Sequence, residues 1–556
     1  MNTPAPLALL LPAIALSACV GVPQDTRTTS EIQILAINDF HGNLEVPARP
    51  ERYVENGVER EANLGGAARL GGTLAALRQQ NSVTVAAGDL IGASPLTSAL
   101  FLDEPSIAAL TAMGLDIASV GNHEFDRGIE ELRRIQNGGC EQFTTLEPCA
   151  IEPFAGAGFT YLAGNVVDDA GTTLFPATTM RDIGGVTIGF IGLTLQDTPT
   201  LVADNATAGY RFLAEAETAN ALAQQLVADG ADTVVLIIHE GAYGPQRNTL
   251  GTCPELSGPL VPIVAALDDS ISVVASGHTH NAYVCQTQND SGGPRLLSSA
   301  GRHGSFVTDI ALTWDHGTDS IASISGRNVP VDGRSPELAE TAAIVARYAE
   351  AAGPIADRVV GQLLPSEGDA GDCSDTPAQG LVADSYLYAA RSAGEADMAL
   401  VNSGGVRTDL SGAADGALTY GELAAMSPFG NTILTVPMTG AELLTVLAQQ
   451  VCEEGGVATR CGAMLVPSAN VSYRIDLAPT DGNYIRSLLI DGRPIDPEAT
   501  YTVATNNFLK GGGDGFSALV DLPVAANLGI DLDWLERYIA ATPRTAPICG
   551  RVRVSS

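Results

Sequence analysis

The chain has 556 residues, 45% of them apolar and 17% charged, with a formal charge of −35. That length and apolar content exceed what one core needs and exclude a largely disordered chain. The acidity excludes a nucleic-acid polymer as partner, because binding a phosphate backbone requires a basic face.

The N-terminus reads "PLALLLPAIALSAC", an apolar run of signal-peptide length ending in Leu16-Ser17-Ala18-Cys19. This looks like a bacterial lipobox, although no Lys or Arg precedes the apolar run. The expectation is that residues 1–18 are removed, that Cys19 carries a lipid, and that the protein is exported to the bacterial periplasm or cell surface and attached there to the membrane. No later stretch is long and apolar enough to span a bilayer. Eight further cysteines, at 140, 149, 253, 285, 373, 452, 461 and 549, form an even set, which in an oxidising compartment points to disulfides. Cys140–Cys149 and Cys452–Cys461 would close short loops and leave Cys253–Cys285 and Cys373–Cys549, but the count alone leaves the connectivity open.

From residue 31 to 330, short β-branched runs alternate with helical patterns. The runs include "IQILAIN", "SVTVAAG", "VTIGFIGL", "TVVLIIH" and "ISVVASG", and "EAETANALAQQLVADG" reads as a helix. Alternation of this kind predicts an α/β domain with buried strands. Residues 335–358 read as a connector helix that begins at Ser335-Pro336-Glu337 and breaks at Gly353-Pro354. A second α/β domain is expected over 360–552.

Five of the seven histidines fall in "NDFHG" (His41), "GNHE" (His123), "IIHEG" (His239) and "GHTH" (His278, His280), and "AAGDL" adds Asp89. In each case an apolar strand ends and the polar residues follow at once. Ligands of open α/β sheets gather at the carboxyl ends of strands, so a single site can collect all five clusters. Asp39, His41, Asp89, Asn122, His239, His278 and His280 form a suitable inventory for two divalent ions. Nitrogen and oxygen donors without thiolate suit Zn, Mn, Co or Fe. A carboxylate has two oxygens to share, so Asp89 is assigned as the bridge between ions about 3.5–4 Å apart.

The order "DFHG … GD … GNHE … H … GHTH" resembles the calcineurin-like metallophosphoesterases. From about 31 to 550 the chain resembles the secreted 5′-nucleotidases and UDP-sugar hydrolases. The resemblance implies a four-layer αββα metallophosphoesterase sandwich followed by an α/β substrate-binding domain. It implies Asp39, His41, Asp89 and His280 on one ion, and Asp89, Asn122, His239 and His278 on the other. Many relatives have Gln where His280 stands. It also implies that His123 acts on the substrate as transition-state stabiliser or proton donor, with Asp126 holding it. Glu124 is expected to make only a loop or helix contact.

Three further pieces resemble the nucleotidase pattern: "NSGGVR", "SPFGN" and "NNFLKGGGDGF". They imply that Phe429 and Phe508 sandwich the base, Asp514 binds ribose hydroxyls, Arg407 lies at the phosphate and Asn402 contacts the base. Relatives often carry Arg at the head of this domain, whereas Cys373 to Ser385 contains none. Lys510, the chain's only lysine, is therefore a candidate to compensate.

The implied reaction is hydrolysis of a nucleoside 5′-monophosphate to nucleoside and phosphate by in-line attack of metal-activated hydroxide. Alternatives on the same site are a 2′,3′-cyclic-nucleotide phosphodiesterase with 3′-nucleotidase activity and a UDP-sugar hydrolase. A thiosulfohydrolase is more distant, since it has no use for base-stacking rings. A surface nucleotide-binding lipoprotein without activity is the rival of a different class. The oligomeric state stays open.

Overall fold

The structure, a computed structural model, describes residue 1 and residues 28–555 apart from 48, 203–205, 245–247, 254, 366–372, 395, 411–415, 455–456, 462 and 481. The signal segment and Cys19 lie outside the described residues.

The strands Thr29–Ile37, Ser82–Ala87, Ile117–Ser119 and Thr160–Leu162 run parallel, with Phe306–Asp315 and Ser320–Pro330 added antiparallel to complete one six-stranded sheet. A second six-stranded sheet has Val186–Thr194, Thr233–His239, Ile271–Ser276 and Pro294–Ala300 parallel at its centre. The period-two alternation of a strand explains how these runs pack. Ile34, Val85, Ile237 and Val273 point between the sheets, into one shared core. Leu35 and Ile37 point outward, onto the helices Ala67–Leu77, Glu104–Ala112 and Ile129–Asn137. Val234, Leu236 and Ile238 face the helices Glu215–Ala228 and Leu260–Ala265. The layers are therefore helix, sheet, sheet, helix. Both faces of each central strand are buried, which is why the runs are apolar almost throughout.

The helix Ala339–Ala356 leads to the rest of the chain. It differs from expectation at both ends. Residues 335–338 are not helical, because this segment docks on the helix Ala67–Leu77. Leu338 N donates to Ala68 O at 2.9 Å, and the Pro336 carbonyl sits where a side chain at Gly72 would be. At the other end the helix continues through Pro354, which lies in the last turn, so only one ladder hydrogen bond is lost.

Beyond it a five-stranded mixed sheet has the order Leu465–Pro467, Met398–Asn402, Thr500–Asn506, Thr432–Thr439, Ala526–Ile530. The helix Pro377–Ala393, opened by a Thr376/Gln379 capping box, covers one face together with Asp531–Ala541. Four disulfides join Cys140–Cys149, Cys253–Cys285, Cys373–Cys549 and Cys452–Cys461. Among the described residues, no helix is long and apolar enough to cross a membrane.

Candidate functional site

The strand ends of both sheets converge as the sequence pattern requires. Asp39 and His41 follow Thr29–Ile37, Asp89 follows Ser82–Ala87, and Asn122 follows Ile117–Ser119. From the second sheet, His239 ends its strand, and His278 and His280 follow Ile271–Ser276. All seven are brought together. Donor atoms of Asp39, His41 and His280 form one close group, those of Asp89, His239 and His278 form another, and His123 comes close to His41 and Asp89 between them. Asn122 joins the second group, its Oδ1 lying 3.2 Å from His239 Nε2 and 3.1 Å from His278 Nδ1. Asp89 Oδ2 stands between the groups, 3.0 Å from His239 Nε2 and 3.6 Å from His41 Nε2.

The donor chemistry fits divalent ions. His239 Nδ1 donates to Ala87 O at 2.8 Å and His41 Nδ1 donates to Gly92 O at 3.0 Å. Each backbone carbonyl fixes the tautomer and leaves Nε2 as a bare acceptor turned into the site. His41 Nε2 and His280 Nε2 lie 3.2 Å apart. Asp39 Oδ2 accepts from Asn38 Nδ2 and His278 N, while its buried Oδ1 makes no well-formed hydrogen bond and faces His280 Nε2 at 3.3 Å and His41 Nε2 at 3.8 Å. A buried carboxylate oxygen without a good hydrogen bond, set among ring nitrogens, is well satisfied by a cation held between them.

The backbone is bent to make this possible. Asp39, His41, Asp89, His278 and His280 all have left-handed φ, between 47° and 68°. Glycines supply the room beside them. A Cβ on Gly121 would lie 2.2 Å from Asp89 Oδ1 and 2.5 Å from Asp89 N. Gly121→Ala is therefore expected to displace Asp89 and weaken metal retention by about 10–100-fold, the scale seen when a ligand's support is lost. Metal content after gel filtration measures this, and a fully loaded variant with native circular dichroism would contradict it.

Within "GNHEFD" the side chains divide. His123 Nδ1 donates to Asp126 Oδ2 at 2.9 Å. Burial disfavours the imidazolium, but Asp126 and Asp89 outweigh it and hold the His123 pKa above its ordinary value. Glu124 turns away from the donor groups and accepts from Asp89 N at 2.9 Å, Leu90 N at 2.8 Å and Gly121 N at 2.7 Å. It thus ties two ligand-bearing loops together. Burial and the Asp89 charge push its pKa up to about 7.

The second half of the chain reaches into this site. The Phe429 ring stacks on His123 at 5.5 Å with the planes 20° apart, and Arg407 lies over Phe429 at 5.8 Å. Burial and Arg302 lower the Arg407 pKa, while Asp89, Asp126 and Asp39 oppose them. Asn402 is buried. Its Nδ2 donates to Asp514 Oδ2 at 2.7 Å and its Oδ1 accepts from Asn506 Nδ2 at 3.2 Å. The Phe508 ring packs against Gly513, in the glycine-rich turn that carries Asp514. Lys510, the other candidate cation of this half, lies at the surface, where its Nζ gives one of its three N–H donors to Val520 O at 2.6 Å. The residue that motif reasoning passed over is His303. Its ring lies 6.0 Å from His41 and 6.1 Å from His280, and its φ is 55°. "GRHG" also follows an apolar strand end, so the same pattern could have found it.

Residues 32–282 match the family described as calcineurin-like phosphoesterase, and residues 345–521 match the 5′-nucleotidase C-terminal domain. The chain belongs to the 5′-nucleotidase family. This 5′-nucleotidase homologue is a metal-dependent phosphoester hydrolase. It is 25% identical to Protein UshA of Yersinia enterocolitica, over 96% of this chain and 95% of that one. It is 28% identical to Cell wall protein Lmo0130 of Listeria monocytogenes, over 93% of this chain and 68% of the relative. A 5′-nucleotidase precursor from Thermus thermophilus shares its fold, with a TM-score of 0.74 and 23% identity over 94% of this chain and 99% of that one.

Proposed function

We propose that the protein is an exported 5′-nucleotidase that uses two divalent ions to release phosphate from nucleoside 5′-monophosphates. The observation that carries the reading is the stack of Phe429 on His123, which sets an aromatic ring of the C-terminal half against a residue whose backbone N–H is bound to Asp89. A ring there suits a nucleobase, since base–aromatic stacking is sequence-tolerant and worth about 1–3 kcal/mol. When bound, the two ions supply an activated water and neutralise phosphoryl charge. Asp39, His41, Asp89 and His280 would hold one, and Asp89, Asn122, His239 and His278 the other.

The chain's own residues do the rest. Asp126 keeps the His123 imidazole oriented and charged, so its other nitrogen can give a proton to the departing nucleoside oxygen. Arg407, over the Phe429 ring, answers the charge of the phosphate. Phe429 and Phe508 hold the base, and Asp514, steadied by Asn402, accepts from ribose hydroxyls. The domain division is 31–330 for the metallophosphoesterase sandwich and 360–552 for substrate recognition. Export is supported by four disulfides and by kinship with a protein named for the cell wall. Lipid on Cys19 rests on "LSAC".

The test is phosphate release from AMP, UMP, UDP-glucose, 2′,3′-cyclic AMP and ATP with added Mn²⁺. AMP and UMP are expected to turn over fastest, and chelation to abolish release. Faster cleavage of the cyclic nucleotide or of UDP-glucose would replace this reading with one of the alternatives.

A further inference from the structure

Away from the metal cluster, the C-terminal half buries a second polar assembly around Asp531, which is 1% exposed. Asp531 sits in the first turn of the helix Asp531–Ala541, beside the loop that carries Phe429. Asp531 Oδ2 accepts from Ser427 Oγ at 3.0 Å, and Asp531 N donates to Asn431 O at 2.8 Å. Ser427 lies two residues before Phe429 and Asn431 two residues after it, so one residue clamps both flanks of that ring. Asp531 Oδ2 also accepts from Tyr386 OH at 3.1 Å. Tyr386 OH in turn accepts from Asn506 Nδ2 at 3.5 Å, the weakest link. Asn506 donates to Asn402, which donates to Asp514. The residue after Asn506 closes the loop from the other side, because Asn507 Oδ1 accepts from Thr432 N at 2.7 Å.

We infer that Asp531 is a positioning residue for nucleotide recognition: without touching substrate, it fixes the Phe429 loop and ties it to the Asn402–Asp514 pair. A buried carboxyl is expensive to keep in an interior, and burial pushes this one up to about 7. Its three partner donors account for its place there. The inference rests on the nucleotidase reading, because it assumes that Phe429 meets the base.

The experiment compares AMP with p-nitrophenyl phosphate, which has no base or ribose. In Asp531→Ala, KM for AMP is expected to rise about tenfold, the loss one base stack produces. The kcat for AMP and the kcat/KM for p-nitrophenyl phosphate should stay within about twofold. Ser427→Ala removes one flank contact and should raise KM for AMP roughly two- to tenfold, the scale of one hydrogen bond. Asp531→Asn, which keeps an acceptor, should restore much of the affinity. An unchanged KM for AMP overturns the inference, and so does a parallel loss on both substrates. Should Asp531→Ala not fold, the same two outcomes in Ser427→Ala decide. A wild-type protein that does not prefer AMP to p-nitrophenyl phosphate would refute the nucleotidase reading instead.

Discussion

His123→Ala is expected to lower kcat for AMP by about 10²–10⁴-fold, the range for losing a positioned general acid, while the protein keeps its full complement of divalent metal. The expectation follows from what the imidazole touches. Its Nδ1 is taken by Asp126, its backbone N–H by Asp89 Oδ1 at 2.8 Å, and its ring face by Phe429. The His239, His278 and Asn122 donors converge without it. Asp126→Asn should give a smaller loss of kcat, because the ring stays oriented but its charged form loses support. Metal analysis beside steady-state kinetics checks both. Loss of an ion with the imidazole would move His123 into the ligand set and leave the proton donor to be found elsewhere.

Asp89→Asn is expected to be more severe and different in kind. Asp89 Oδ2 is the one carboxylate oxygen shared between the two donor groups, and Oδ1 is already bound to His123 N. An amide has one oxygen for these two duties, and its NH₂ would face either an N–H or a ring of acceptors. Removing a mere hydrogen-bond partner of a ligand costs about 10–100-fold in metal affinity, so loss of the shared oxygen should exceed roughly 100-fold. Both ions should wash out on dialysis, and phosphate release should fall below detection. A variant retaining both ions and more than about a tenth of its activity would show that Asp89 does not bridge.

The strand-end clusters were legible because parallel strands buried on both faces write themselves as apolar runs, and the chain must turn polar where the sheet stops. Ile34, Val85, Val235 and Ile237 are read in this way without a structure. Residue type alone misleads at Glu124. Its work is set by the Asp89 and Leu90 N–H groups, more than thirty residues back. The start of the connector helix was hidden for a similar reason, since residues 335–338 give up helical bonds to lie on Gly71 and Gly72 of another helix. The bond from Lys510 to the Val520 carbonyl has no local signature either. Asp531 was invisible too: it lies about a hundred residues from the loop it clamps. Local pattern reveals where strands end, but not which distant backbone group is waiting there.

The left-handed backbone at Asp39, His41, Asp89, His278, His280 and His303 has a consequence for the folded chain as a whole. Each such residue outside glycine costs on the order of 1 kcal/mol or more, so these loops hold tension at six points on two sheets. Glycine would relax every one of them and supply no ligand. Cations drawn to the carboxylates and imidazoles would oppose that tension and cross-link the sheets at their open ends. Bound metal would then be a rivet as well as a reagent, and the sandwich would be finished by what it binds.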